Sequence, residues 1–161
     1  MYLLTITLTM LLLPLGSIAA EWALAPYPSL LLLTGKWFVF WAVGVRLTLA
    51  GLRQVAAPDF TARDIFRIEG PEALPLVREL GFANLAAGVV GLLSLAWPAF
   101  TVPAALWGAI FLGAAGVMHA RRRGRSREQS IAMVSDLFVA LVLGGHAVAM
   151  LMIGAAVRGM H

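Results

Sequence analysis

Four polar side chains, Arg46, Glu79, Asn84 and Asp136, fall within or at the border of long apolar stretches. A charge at the centre of a membrane helix costs about 2.5–3.5 kcal/mol on insertion scales, so such residues usually face a partner or a water-filled cavity. A guanidinium and a carboxylate can form an ion pair there, and an amide can add hydrogen bonds to it. These residue types therefore indicate a polar cluster inside a membrane.

The depths of these residues agree with one another. At a rise of about 1.5 Å per residue, Arg46 lies about 10 Å from the inner end of its stretch, and Asp136 and Asn84 each lie about 9 Å from theirs. The shared level predicts an ion pair between Arg46 and Asp136, with Asn84 and Glu79 supplying further hydrogen bonds. Two alternatives stay open: Arg46 extends to the cytoplasmic head groups, or each residue makes a separate structural contact. An ion pair would not by itself indicate a function, because such a pair can simply fix the helix register.

Two further ionisable residues fall in the outer half of their stretches. Lys36 either extends outward to the head groups or meets Glu21. His146 is best explained as a buried, hydrogen-bonded side chain rather than a proton relay. It is too far from His119, at the cytoplasmic end of another stretch, for the two histidines to share a metal.

Patterns typical of enzymes and cofactor sites are missing from the sequence. Ser135 and Asp136 are adjacent, so on a helix they point to different sides and cannot form a nucleophile–base pair with His146. There is no HExxH, no glycine-rich phosphate loop and no cysteine, which excludes thiolate metal sites and disulfides. We therefore predict no catalytic residue, no metal and no cofactor.

The elements that position the polar residues follow from hydropathy. The chain has 161 residues, of which 61% are apolar and 12% charged, whereas soluble domains are nearer a quarter charged. Spanning a bilayer takes roughly 20 apolar residues, and only a helix satisfies its own backbone groups in lipid. The sequence therefore predicts an all-α, polytopic bundle in a single integral membrane domain, with about five transmembrane helices. The predicted spans are 2–20, 30–52, 79–97, 102–119 and 131–157.

The first span has an alternative explanation as a cleaved secretory signal. The segment Ser17-Ile18-Ala19, which precedes Ala20 and Glu21, has small residues at the positions typical of a cleavage site. However, no Lys or Arg precedes the apolar run, and the run is longer than a usual signal core. A retained helix is the favoured interpretation.

Arginines predict the orientation. The loop 53–78 is arginine-rich, and a second run lies between the last two spans: Arg121, Arg122, Arg123, Arg125 and Arg127. Cytoplasmic loops of membrane proteins carry an excess of Lys and Arg, so both loops are predicted to be cytoplasmic. The protein is thus predicted to lie in the cell membrane, with its N-terminus on the cytoplasmic side and its C-terminus on the outer side. Nucleic-acid binding is not predicted, because no folded basic domain exists to present a groove-reading surface.

The loop 53–78 contains a predicted interfacial helix. Thr61 can cap it, and Ile65, Phe66 and Ile68 would form its apolar side against the membrane surface. Gly70 and Pro71 should end it, and Pro71 suits the first turn of the next helix.

Stripes of small residues predict how the helices pack. Lipid gives little hydrophobic drive for helix association, so small residues at four-residue spacing mark close approach. One stripe lies on each of the third and fourth spans: Ala83, Ala87, Gly91, and Ala105, Ala109, Gly113. Either the two stripes pack against each other, or one of them serves a homo-oligomer.

Several runs resemble a bacterial family of membrane proteins catalogued only as a domain of unknown function. These runs are Gly35 to Arg46, Phe60 to Ala62, Arg78 to Leu85, and Ser135 to Phe138. The likeness covers most of residues 30–145 and includes the four polar positions. It implies a small multi-helix protein of the bacterial inner membrane and transfers no catalytic residue.

Three functions are consistent with these observations. The favoured one is a structural or accessory membrane protein. Its expected partners are the lipid bilayer and either further copies of the same chain or another protein of a membrane complex. The alternative is a small channel or transporter with a polar site at Arg46, Asn84 and Asp136. An enzyme acting on a lipid or quinone, with residues 59–79 as a lid, has the least support, because motifs are lacking.

Overall fold

The computed structural model describes residues 2–25, 29–121, 124 and 127–159, without the side chains of Tyr2 and Glu128. All regular structure in these residues is helical, and five of the helices are long and apolar enough to cross a membrane. This confirms the predicted fold class. The helices are α1 (Tyr2–Thr7, Leu8–Leu12 and Leu13–Leu24), α2 (Leu30–Phe38, Val39–Val45 and Arg46–Ala56), α3 (Pro58–Phe60 and Thr61–Phe66), α4 (Ala73–Leu93), α5 (Thr101–Arg121, after the 3₁₀ turn Pro98–Phe100) and α6 (Arg127–Arg158).

The helix ends differ from the limits of the apolar stretches. Helix α2 continues to Ala56 and α4 begins at Ala73, because a helix continues through polar residues until something terminates it. Helix α4 also ends at Leu93, earlier than hydropathy indicated. The proline ring of Pro98 disfavours helical geometry at the residue before it, and Trp97 is accordingly extended (φ −126°, ψ 93°).

Three segments have π-helical geometry: Leu8–Leu12 in α1, Val39–Val45 in α2 and Thr61–Phe66 in α3. A π turn bonds residue i to i+5, and such turns occur often at functional sites. The first two segments touch each other in the middle of the bundle, and Val39, Ala42 and Val43 are fully buried there. No pattern in the sequence predicted these π-helical segments.

Helices α2 and α4 pack backbone to backbone along glycines. A Cβ on Gly91 would lie 2.5 Å from the backbone nitrogen of Gly44, and one on Gly51 would lie 2.7 Å from the carbonyl oxygen of Gly81. Between these two contacts, Thr48 of α2 packs directly against Gly88 of α4. The interface is antiparallel, and only residues without a side chain permit it.

Helices α5 and α6 form the other closely packed pair. Leu143 and Leu137 of α6 occupy the places that Gly108 and Gly116 of α5 leave open, since a Cβ on either glycine would lie 2.7 Å from its leucine. Gly113 lies on the same side of α5 and faces Ala140 of α6.

Of the two alternatives for the small-residue stripes, the structure does not have the contact between them. Of the stripe on α4, Gly91 is buried, Ala87 is half-buried and Ala83 is exposed. The buried face of α4 is instead Val77, Gly81, Asn84, Gly88 and Gly91. On α5, Ala105 is buried, whereas Ala109 and Gly113 are half-buried and face α6 rather than α4. Four-residue spacing shows that residues share one face of a helix, but it does not determine whether that face is buried or which neighbouring helix it contacts.

Helix α3 lies across the end of the bundle that carries Arg53, Arg63, Arg78, Arg121 and Arg127, here called the arginine-rich end. Thr61 does not cap this helix: Pro58 starts it, and Thr61 is buried within it. The ring of Pro58 presets a helical φ, so the helix can begin four residues earlier than predicted, with Ala57 rather than Thr61 at the N-cap. The helix ends at Phe66, before Gly70, and the next residue, Arg67, has a left-handed φ of 58°.

Candidate functional site

Arg46 and Asp136 are in contact in the interior of the bundle. Nη2 of Arg46, in α2, donates to Oδ1 of Asp136, in α6, at 2.9 Å. The exposed fractions of the two side chains are 14% and 5%, so both charges are largely removed from solvent. A pair this buried is held by mutual attraction and hydrogen bonding against a large desolvation cost.

Asn84 and Glu79 do not join this ion pair. Nδ2 of Asn84 donates to Oε1 of Gln54 at 2.7 Å, which links α4 to α2. The other amide atom, Oδ1 of Asn84, is buried and has no hydrogen-bond partner among the described residues. Glu79 is exposed, because it lies on the opposite side of α4 from Asn84. Of the four predicted polar residues, the structure thus brings two together and places a third nearby.

A cavity of ≈ 380 Å³ connects the ion pair with Asn84. Its volume is within the range of 300–1,000 Å³ typical of small-molecule sites. Its polar lining residues are Thr5, Arg46, Arg53, Gln54, Thr61, Asn84 and Asp136. Its apolar lining residues are Ile6, Leu47, Leu49, Ala50, Phe60, Ile65, Phe66, Leu80, Phe111, Leu112 and Ala115. An amphiphilic lining with one buried, unpaired acceptor is suited to binding a ligand.

Helix α3 covers the cavity at the arginine-rich end. The guanidinium carbon of Arg53 lies 3.5 Å from the centre of the Phe60 ring, a cation–π contact between α2 and α3. On the other side, Nε2 of Gln129 donates to the backbone oxygen of Ile65 at 3.3 Å. Helix α3 is thereby attached to two of the long helices.

Beyond the ion pair, the bundle is tightly packed. A layer of fully buried side chains from α2, α5 and α6 lies between the cavity and the opposite end: Val39, Ala42, Val43, Ala105, Leu143 and Ala147. None of these six side chains lines the cavity, so the packed layer separates the cavity from the opposite end of the bundle.

A second polar cluster lies at the opposite end, between α1 and α2. Nζ of Lys36 lies 2.7 Å from both carboxylate oxygens of Glu21, and Nε1 of Trp37 donates to Oε2 of Glu21, also at 2.7 Å. Of the two alternatives for Lys36, the structure has the contact with Glu21. The Lys36 and Glu21 side chains are 36% and 31% exposed, so this pair is more strongly screened than the first.

His146 is buried, and its Nδ1 lies 3.0 Å from the backbone oxygen of Leu31. Its ring occupies the space above Gly35, where a Cβ would overlap it. In the part of the chain that the structure describes, no three His, Cys, Asp or Glu residues are close enough to bind a metal ion.

Of the basic run that sets the predicted orientation, Arg121 ends α5 and Arg127 begins α6. Arg122, Arg123 and Arg125 lie outside the described residues.

Three residues that line the cavity were not predicted from the sequence to belong to a site: Arg53, Gln54 and Phe60. Hydropathy ended the second span at residue 52, which assigned all three to a loop. Their signal was the continuation of helix periodicity past the apolar residues: Ala50 and Gln54 are four residues apart, as are Leu49 and Arg53, so each pair lies on one helix face.

Comparison with known proteins gives a family and no function. A family model described as "Family of unknown function (DUF6790)" matches residues 3–158. No curated protein and no solved structure matches the chain. The expected likeness to a family without an assigned function is thereby confirmed.

Proposed function

The chain belongs to this family of unknown function, and from that premise we propose that it is a five-pass membrane protein with an accessory role, which holds a small ligand in the cavity under α3. The cavity carries the proposal, because it joins a buried ion pair and an unpaired buried acceptor in one space. The bilayer is its first partner. A homo-oligomer or membrane complex, built on outward faces such as the one with Ala83, is a further proposal.

The proposed orientation has the arginine-rich end in the cytoplasm. Described arginines at that end include Arg53, Arg78, Arg121 and Arg127, whereas Lys36 and Arg158 lie towards the other end. This asymmetry supports a cytoplasmic N-terminus and an outer C-terminus.

Reporter fusions test this orientation. Alkaline phosphatase, which is active only outside the cytoplasm, is expected to be active when fused after Arg158. Inserted after Arg121, it is expected to be inactive, and green fluorescent protein at the same place is expected to fluoresce. The reverse pattern at both sites would contradict the proposed orientation.

A ligand-holding role explains the cavity better than a passage does. A passage needs polar surface from one face to the other, whereas the tightly packed layer with Val43, Ala105 and Leu143 lies beyond the ion pair. A transporter in which Arg46, Asn84 and Asp136 bind the substrate is the second candidate, favoured by their place on the cavity wall. It would require that layer to separate during transport.

Filling the cavity tests the ligand-holding role. Ala115 lines the cavity, so Ala115→Phe is expected to reduce the lipid or small molecule that copurifies with the protein by several-fold, measured by quantitative mass spectrometry. Ala114, one residue earlier on α5, is exposed, which makes Ala114→Phe the matched control. Equal retention by the wild type and both variants would count against a ligand in this cavity.

A further inference from the structure

We propose that the ligand is a membrane lipid whose head group carries both an anionic phosphate and a hydroxyl, with the head group in the cavity and the acyl chains in the bilayer. The inference rests on the ligand-holding function proposed above. It follows from the charge of the cavity wall, its unpaired acceptor and the place where the cavity opens.

The charge of the wall favours an anion. Three charged residues line the cavity, and two of them, Arg46 and Asp136, neutralise each other. The third, Arg53, has no carboxylate within ion-pair distance among the described residues. Its guanidinium face lies against Phe60, which leaves the N–H groups at its edge to bind a phosphate. The wall therefore has one positive charge in excess.

The unpaired acceptor requires a hydrogen-bond donor. Oδ1 of Asn84 is buried and accepts no hydrogen bond from a described residue. The bond between Asn84 and Gln54 uses the other amide atom, Nδ2. A buried acceptor without a partner costs free energy, and a ligand that donates to it recovers that cost. An ionised phosphodiester has no proton to donate. A hydroxyl on the same head group supplies the donor.

The opening of the cavity favours a lipid over a soluble phosphate. Leu49 lines the cavity and is 49% exposed on the outer side of α2, one turn from Arg53. The cavity thus reaches the surface of the bundle that the bilayer covers, at the end where the head groups lie. Acyl chains can leave past Leu49 while the head group stays between Arg53 and Asn84.

Three diacyl lipids separate the contributions of charge and hydroxyl. Phosphatidylglycerol has the phosphate and hydroxyls, phosphatidylmethanol has the phosphate alone, and phosphatidylcholine is zwitterionic without a hydroxyl. Native mass spectrometry of the full chain, titrated in a non-ionic detergent, measures the apparent Kd of each. We expect phosphatidylglycerol to bind about tenfold more tightly than phosphatidylmethanol, and phosphatidylmethanol about tenfold more tightly than phosphatidylcholine.

Substitutions assign each preference to a residue. Asn84→Leu is expected to remove the preference for phosphatidylglycerol over phosphatidylmethanol, and Arg53→Gln the preference for phosphatidylmethanol over phosphatidylcholine. Arg78 is also an exposed arginine of this end but does not line the cavity, so Arg78→Gln should keep both preferences. If Asn84→Leu does not fold, the wild-type ratio of phosphatidylglycerol to phosphatidylmethanol still tests the hydroxyl contact.

The outcomes distinguish this inference from the function on which it rests. If all three lipids bind equally to the wild type and Ala115→Phe abolishes their binding, the head-group assignment is wrong while the cavity still holds a ligand. If sn-glycerol 3-phosphate in solution competes fully with phosphatidylglycerol, the site recognises a soluble phosphate, and the lipid assignment is wrong. If no lipid binds and Ala115→Phe changes nothing, both proposals fail.

Discussion

Replacing Asp136 by Leu is expected to lower the free energy of unfolding by about 3–5 kcal/mol, because the substitution leaves the guanidinium of Arg46 buried without its counter-charge. Arg46→Leu is expected to cost a similar amount, since it leaves the carboxylate of Asp136 buried and unpaired. The double variant, which removes both charges, should recover most of the loss, because an apolar pair of similar size avoids the desolvation cost. Equilibrium unfolding in mixed micelles measures all four proteins of this cycle.

The ion pair at the opposite end of the bundle provides the control. Glu21 and Lys36 are about one-third exposed, so Glu21→Gln, Lys36→Gln and their combination should each change stability by about 1 kcal/mol or less. Losses that simply add in the Arg46 and Asp136 cycle would mean that the two residues stabilise the fold independently. The 2.9 Å contact would then contribute no coupling.

The second large effect is expected at the backbone contact between α2 and α4. The Cβ of Gly91→Ala would lie 2.5 Å from the nitrogen and 2.7 Å from the Cα of Gly44, and backbone atoms cannot move aside alone. The helices must separate, which is expected to cost about 1–3 kcal/mol for alanine. Gly91→Leu is expected to prevent the two helices from packing at all.

Gly145 is the matched control for Gly91. It is also a glycine within a long helix, α6, but a Cβ added to it would meet no atom within 4 Å. Gly145→Ala is expected to leave stability unchanged or to raise it by up to about 1 kcal/mol, since alanine favours the helix. Thermal unfolding in detergent compares the two variants. Equal effects at Gly91 and Gly145 would contradict a close backbone approach at Gly91.

The five long apolar helices were predictable because hydropathy depends on the length and composition of a segment, and both are read directly from the residues. The contact between Arg46 and Asp136 was anticipated from depth alone, since charges at one level in an apolar bundle have few other partners. Glu79 was assigned to the same cluster by depth and lies on the wrong face. Depth along a helix therefore transfers from sequence to structure, whereas the direction of a side chain around the helix does not.

The packing faces show why direction is harder. In a soluble helix the polar side marks the outside, but exposed residues of α4 such as Phe82 and Val89 are as apolar as its buried residues, so hydropathy does not separate the two faces. The repeat of glycines at seven-residue spacing, Gly44 with Gly51 and Gly81 with Gly88, was a better guide to the contact of α2 with α4 than the alanines. Glycine alone permits this approach, whereas alanine is common on every face.

The wide turn at Val39–Val45 affects how the chain can change in length. A π turn takes in one more residue than an α turn, so it absorbs an extra residue without rotating the helix that follows. Loss of one residue from this segment would let it return to α geometry and leave Arg46 directed at Asp136. Loss of one residue from the α-helical part after Arg46 would instead turn Gln54 and Arg53 by about 100° away from the cavity. The same helix is thus tolerant of deletion on one side of the ion pair and intolerant on the other.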